Sequence, residues 1–243
     1  VQEYLGATTK NWLLKMPDAN PAILEMFKDR DKQPHRDLLP WSGEFAGKYL
    51  TGGVQIHRLN HDPALKQYLA QFVAKLVQLQ AEDGYLGPFT RDNRLEGKWD
   101  TWDVWGHYHI MLGLLLWNED TGDQPALNCT KKIGDLMCRK FLHTGRGIVD
   151  TGRENDKNHA AVHSLCLLYE VTKTPAYLEL ARQIADKEFL HDRAGDYVRV
   201  ALAGKEFYQG PKPRWESLHS IQGLAELYWS TGDDRYRKAF EQI

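Results

Sequence analysis

Thr121-Gly122-Asp123-Gln124-Pro125-Ala126-Leu127 decides the fold, because the phrase recurs along the chain. It returns as Asn60-His61-Asp62-Pro63-Ala64-Leu65, as Thr172-Lys173-Thr174-Pro175-Ala176-Tyr177-Leu178 and as Thr231-Gly232-Asp233-Asp234-Arg235-Tyr236. Each copy follows an apolar helical run and precedes an amphipathic one. Gly or Asn stands where a helix C-cap wants positive φ, and Asp or Thr where an N-cap accepts backbone N–H bonds. Each phrase therefore predicts a tight helix-to-helix turn. The steps between Pro63, Pro125, Pro175 and Arg235 are 62, 50 and 60 residues, the length of two helices and two connections. No strand patterning accompanies them, so the expected fold is all-α, an array of helical hairpins.

The helices fall into two kinds. Residues 64–80 place Leu65, Tyr68, Leu69, Phe72, Val73, Leu76 and Leu79 on one face and Lys66, Gln67, Gln71, Lys75 and Gln78 on the other, the pattern of an outer helix. Val104 to Trp117 is apolar nearly all round, and Phe45 to Ile56 carries Gly47, Gly52 and Gly53 despite their helix cost, which marks buried inner helices. Further inner runs span 159–171 and 215–229. The next outer runs span 176–189 and open at Asp234. Inner-to-outer turns are the four tight phrases, whereas the outer-to-inner connections are long, near 81–103, 142–158 and 190–214. Long ordered connections are a usual seat of function. Eight of the ten histidines, His35, His107, His109, His143, His159, His163, His191 and His219, belong to that long-loop rim, with Trp41, Trp99, Trp102, Trp105 and Trp215. A ring of inner helices capped by such loops predicts a toroid with a concave aromatic and polar cup. Four hairpins do not close a double ring of six, and the sequence stops at Phe240-Glu241-Gln242-Ile243 without a cap. The expectation is that residues 1–243 are part of one toroidal domain of a longer protein, with 1–38 an N-terminal extension and 39–243 about four hairpins.

Bulk properties narrow the function classes. A net charge of −2 with interspersed signs gives no footprint for nucleic acid or an anionic membrane surface. No apolar run reaches the roughly 20 residues of a membrane span. Val1-Gln2-Glu3-Tyr4 shows no signal-peptide pattern, which leaves the compartment open, with an exported location somewhat favoured. Cys129, Cys138 and Cys166 match no zinc or redox spacing and read as small core residues.

Several constellations are candidates for the cup. Trp41 and Glu44 open the first inner helix, where Glu44 either accepts substrate hydroxyls or complements the helix dipole. Asp83-Gly84 forms a turn, and Asp83 and Tyr85 beyond it are contact candidates. Trp99 to His109 is the densest segment. His107 and His109 diverge by about 200° on a helix, so only one faces the cup, and we assign His109, with Trp105 beside it. His159 and His163 share a helical face at a spacing known from zinc sites, but Ala160 stands where the Glu of His-Glu-x-x-His would be. Glu216 and His219, three apart on the last inner helix, form either an acid–imidazole pair for chemistry or a structural pair.

In these segments the chain resembles glycoside hydrolase family 127, the β-L-arabinofuranosidases, and its related families. The resemblance lies in Trp41-Ser42-Gly43-Glu44-Phe45-Ala46-Gly47-Lys48-Tyr49-Leu50, in Gln80-Ala81-Glu82-Asp83-Gly84-Tyr85-Leu86, in Trp102 to His109 with Gly113-Leu114, and in the Leu-Tyr-x-x-Thr ends of inner helices. It implies an (α/α)6 toroid, incomplete in this chain, followed by β-sandwich domains. It also implies retaining hydrolysis by a zinc-bound cysteine nucleophile with a glutamate acid/base. The family's zinc ligands come from a Glu-x-Cys segment and a later Cys pair, which this chain lacks. No cofactor is thus expected in this chain, and zinc is expected in the intact enzyme. His109, His159 and His219 are similar in placement to family histidines that touch the sugar. The resemblance implies a carbohydrate substrate, held by Trp41, Glu44, Asp83, Tyr85, Trp105, His109, His159, Glu216 and His219, and a partner in the remainder of the catalytic domain. Sugar epimerases and unsaturated-glucuronyl hydrolases on similar toroids remain an alternative, as does a non-catalytic helical scaffold; the one-sided clustering of Trp and His speaks against the scaffold.

Overall fold

The computed structural model describes residues 1–96, 101–151, 156–188 and 197–243. Eight principal helices form four hairpins. They are α1 (Phe45–Asn60), α2 (Pro63–Gln78), α3 (Asp103–Thr121), α4 (Gln124–Phe141), α5 (Ala161–Thr172), α6 (Pro175–Gln183), α7 (Trp215–Thr231) and α8 (Asp234–Gln242). No strand occurs among the described residues. Inner helices α1, α3, α5 and α7 pack side by side in chain order, and α2, α4 and α6 form a layer outside them. This is the curved double layer of an all-α toroid.

Each tight phrase ends its inner helix with a left-handed residue, and three of the four cap the next helix with an Asp side chain, whereas Thr174 makes no side-chain cap bond. His61, Gly122, Lys173 and Gly232 hold φ of 52°, 69°, 54° and 70°. Asp62 and Asp123 then accept the Leu65 and Ala126 N–H groups at 3.0 Å. The positive φ thus falls on His61 rather than Asn60, and on Lys173 in a phrase that offers neither Gly nor Asn. At His61 the preceding Asn60 is used otherwise, since its side chain accepts from Asp62 N and donates to Thr9 Oγ1. The turns share one rim. Arg58 near the first donates to Asp120 at 2.9 Å near the second, and Ser230 near the fourth donates to Glu170 at 2.7 Å near the third.

The glycines of α1 have different reasons. A Cβ on Gly47 would stand 2.2 Å from the His109 carbonyl carbon, so α1 and α3 touch backbone to backbone there. Gly223 brings α7 close to α5, where a Cβ would stand 2.9 Å from the Val162 side chain and 3.0 Å from the His163 nitrogen. Gly52 meets nothing within 4 Å. Residues 1–38 precede the four hairpins. They form short helical turns, with Ala22–Lys28 the last, that pack onto α1, where the buried Tyr49 hydroxyl donates to the Leu13 carbonyl at 2.7 Å. The long 190–214 connection contains a further helix, Tyr197–Leu202.

Candidate functional site

The N-terminal halves of the inner helices bring together a compact aromatic and imidazole cluster. Trp105 and His109 come from α3, Lys48 from α1 with Glu44 just before it, His163 from α5, and Trp215 and His219 from α7. The His109 ring stands edge-on to Trp105 at 4.4 Å and to His219 at 5.4 Å. Trp105 touches Trp215 at 5.6 Å and His219 at 5.2 Å. Two close helix contacts set these distances: Gly47 lets α1 meet the backbone of α3, and Gly223 lets α7 close on Val162 and the His163 backbone of α5.

Glu44 is engaged within the protein. It accepts the Trp105 indole N–H and pairs with Lys48 at 2.7 Å, one turn away. Its carboxylate stands at the N-terminus of α1 and makes no cap bond there. Lys48 Nζ lies 4.5 Å from the Trp215 ring centroid and 5.5 Å from that of Trp105. The pair therefore fixes one indole and brings a cation against both rings.

The imidazoles are neutral at pH 7. Burial pushes His163 down to about 4, and burial together with the Lys48 charge pushes His219 down to about 4. Burial, then Lys48, holds His109 well below the usual histidine range. His109 is 3% exposed and its Nε2 is buried without a hydrogen-bond partner. An unpaired buried polar atom costs about 1–3 kcal/mol, so it either wastes stability or awaits a ligand group. His107, by contrast, is a structural residue. Its Nε2 accepts from Leu86 N at 3.0 Å, so its Nδ1 carries the proton and donates to the Asp103 carbonyl at 2.8 Å. The divergence of the two side chains expected from helix geometry is observed.

Other expected site residues lie elsewhere. Tyr85 is fully buried, and its hydroxyl donates to Asp103 at 3.0 Å and accepts from Phe89 N at 3.2 Å. It stacks on His107 rather than entering the cluster, so it braces the 81–95 connection. Asp83 is exposed and accepts from Tyr85 N at 3.0 Å, which makes it a turn residue. His159 is fully enclosed in the single-turn helix before α5, with no surface toward the cup. Glu216 is buried beside Arg214, at 3.6 Å, and the partner of His219 is Tyr108 instead. Trp41 pairs with Trp102 at 5.3 Å, where Lys157 Nζ lies 4.0 Å above the Trp102 ring. This is a second aromatic platform on the rim. Beside it the fully buried Asp156 accepts Arg214 at 2.9 and 3.0 Å and pins the last connection to α5. Trp99 and His191 lie outside the described residues. Sequence reasoning missed Lys48, Tyr108 and Glu226, and weighed His163 only as half of a metal pair. Lys48 had a signal, its placement four residues after Glu44.

A cavity of about 380 Å³ lies between the N-terminal segment and the 88–93 loop. None of the clustered residues lines it. Its arginines are also occupied, Arg30 by the Leu79 carbonyl at 2.8 Å and Arg36 by Glu25 and Asp29 at 3.0 and 2.9 Å. The cluster, with its unpaired buried nitrogen, is the better candidate.

A family model for the β-L-arabinofuranosidase GH127 catalytic domain matches residues 8–243. The chain belongs to that family. Among solved structures, a GH127 β-arabinofuranosidase superimposes with a TM-score of 0.70 at 18% identity, over 95% of this chain and 38% of that one. A GH127 β-L-arabinofuranosidase from Geobacillus stearothermophilus T6 gives a TM-score of 0.70 at 17% identity, over 100% of this chain and 43% of that one. The chain thus spans less than half the length of either structure. No curated protein matches. The zinc implied by the family does not fit the residues present. Among the described residues no group of three or more His, Cys, Asp or Glu is placed to hold a metal. The thiols are also poor ligands where they stand, since burial pushes Cys129 and Cys138 up to about 12 and Cys166 higher.

Proposed function

We propose that this chain is the substrate-holding part of a glycoside hydrolase acting on arabinofuranosyl or related glycans. The observation that carries the reading is the buried, unpartnered Nε2 of His109, whose ring meets Trp105, which in turn touches Trp215. Sugars ask for apolar faces against their C–H surfaces and for a few fixed polar groups at their hydroxyls. The exposed Trp215 supplies the first, backed by the fully buried Trp105, and His109, His219 and Lys48 the second. The rim platform of Trp41 and Trp102 suits a neighbouring sugar of the same glycan. Bond cleavage, and the zinc of the family, belong in this reading to a remainder of the catalytic domain. Leu218 and Trp229 on α7 and Phe240 on α8, all exposed, support a further helical hairpin packing there.

The test is binding of methyl β-L-arabinofuranoside by isothermal titration. His109→Ala should weaken it by about ten- to a hundredfold, the worth of one buried hydrogen bond at roughly 1–3 kcal/mol. Unchanged affinity in the variant, or no binding by the parent protein, would overturn the reading.

A further inference from the structure

Behind the cluster, two hydrogen bonds and one longer electrostatic contact link α3, α5 and α7. The Tyr108 hydroxyl lies 2.9 Å from His219 Nδ1 and 3.2 Å from His163 Nδ1. The far nitrogen of the second ring, His163 Nε2, lies 3.9 Å from Glu226 Oε1. Glu226 stands two turns below His219 on the same face of α7. His163 and Glu226 keep only 12% and 16% of their side-chain surface, so their interaction is little screened by solvent.

Counting protons fixes the pattern. A tyrosine hydroxyl has one hydrogen, so it donates to one imidazole and accepts from the other. Both rings are neutral at pH 7 and each carries a single N–H. The two histidines therefore hold opposite tautomers. Which one holds which depends on the end of the chain. A carboxylate at Glu226 favours the His163 tautomer whose Nε2–H points at it. His163 Nδ1 is then bare and accepts from Tyr108, the Tyr108 oxygen accepts from His219 Nδ1–H, and His219 Nε2 is left with a lone pair.

We propose that Glu226, His163 and Tyr108 are positioning residues that lock His219 as the Nδ1–H tautomer and present its Nε2 to the ligand as a hydrogen-bond acceptor. The inference rests on the cup being a sugar site, where that lone pair selects a hydroxyl donor. The surrounding groups agree with it. Lys48 from α1 opposes a proton on His219, and His109 from α3 adds no negative charge. Glu226 is the exception, since burial and then Glu170 raise its carboxyl, and Glu170 is itself held low by Lys173 and Ser230. The Cys166 thiol on α5, raised by burial, remains uncharged.

Long-range proton–nitrogen correlation spectra of histidine-labelled protein at pH 7 read each ring's tautomer directly. The expected pattern is Nδ1–H at His219 and Nε2–H at His163. Tyr108→Phe, which keeps the packed ring, and Glu226→Leu, which removes the anchor, should each lose the pure Nδ1–H signature at His219. Equal tautomers on the two rings, Nε2–H at His219, or a His219 pattern untouched by both variants would overturn the proposal. The spectra are recorded without sugar. Failure of the arabinofuranoside to bind would therefore refute the cup's proposed function while leaving the tautomer result readable on its own.

Discussion

At the residue scale the site consists of imidazoles kept neutral by burial, and this has a consequence for stability. His163 and His219 are pushed down to about 4, whereas an unfolded chain protonates them near the ordinary value of 6.5. Above that value both states are uncharged and the rings contribute no pH dependence. As pH falls from 6.5 to about 4 the unfolded state binds protons that the folded state does not, so stability is lost through that window and levels off below it for these groups. Thermal melts between pH 7 and 4 should show this fall, with a shallower slope in His163→Gln; an identical slope would show that the ring titrates alike in both states. The divergence of His107 and His109 was legible in the sequence, because residues two apart on a helix leave it on different faces. Tyr108 was not, since its role depends on His163 and His219, which reach it from two other helices. Tyr85 and Asp83 misled for the opposite reason. Their neighbourhood in sequence is the rim, but a buried phenol takes the nearest strong acceptor, Asp103, and turns inward.

At the element scale, cap chemistry is local, and that is why the tight turns and the helix starts beside them could be read closely, whereas the end of α6, expected at 189, falls at Gln183. The left-handed residues at His61 and Lys173 escaped because side-chain type does not announce them when the following turn imposes the conformation. The glycines of α1 look alike in sequence and differ in space. Gly47→Ala should destabilise by about 1–3 kcal/mol or more, since its methyl would meet the backbone of α3 rather than a side chain able to move. Gly52→Ala, half-buried with open space around it, should stabilise by about 0.5–1 kcal/mol. Denaturant melts of the two variants check the pair. Equal effects would mean that the α1–α3 contact is looser than its geometry indicates.

On the scale of the whole molecule, the double layer and its two unlike rims followed from repeat spacing and from where tryptophan and histidine collect. The packing of residues 1–38 onto α1 did not, because that segment has no sustained helical period and its contacts, such as Tyr49 to Leu13, span long stretches of chain. The separation of turns from cup also offers a practical handle. Cys129 and Cys166 are enclosed and Cys138 is half-buried, all with thiols that resist ionisation, so the parent protein should react little with a maleimide under native conditions. Gln124→Cys would place one accessible thiol on the turn rim, exposed at the start of α4. Labelling should go to one equivalent and leave arabinofuranoside binding unchanged; loss of binding would mean that the two rims communicate. Tethered through that thiol to a surface, the protein would stand with its cup turned outward, every molecule in the same orientation for glycan capture.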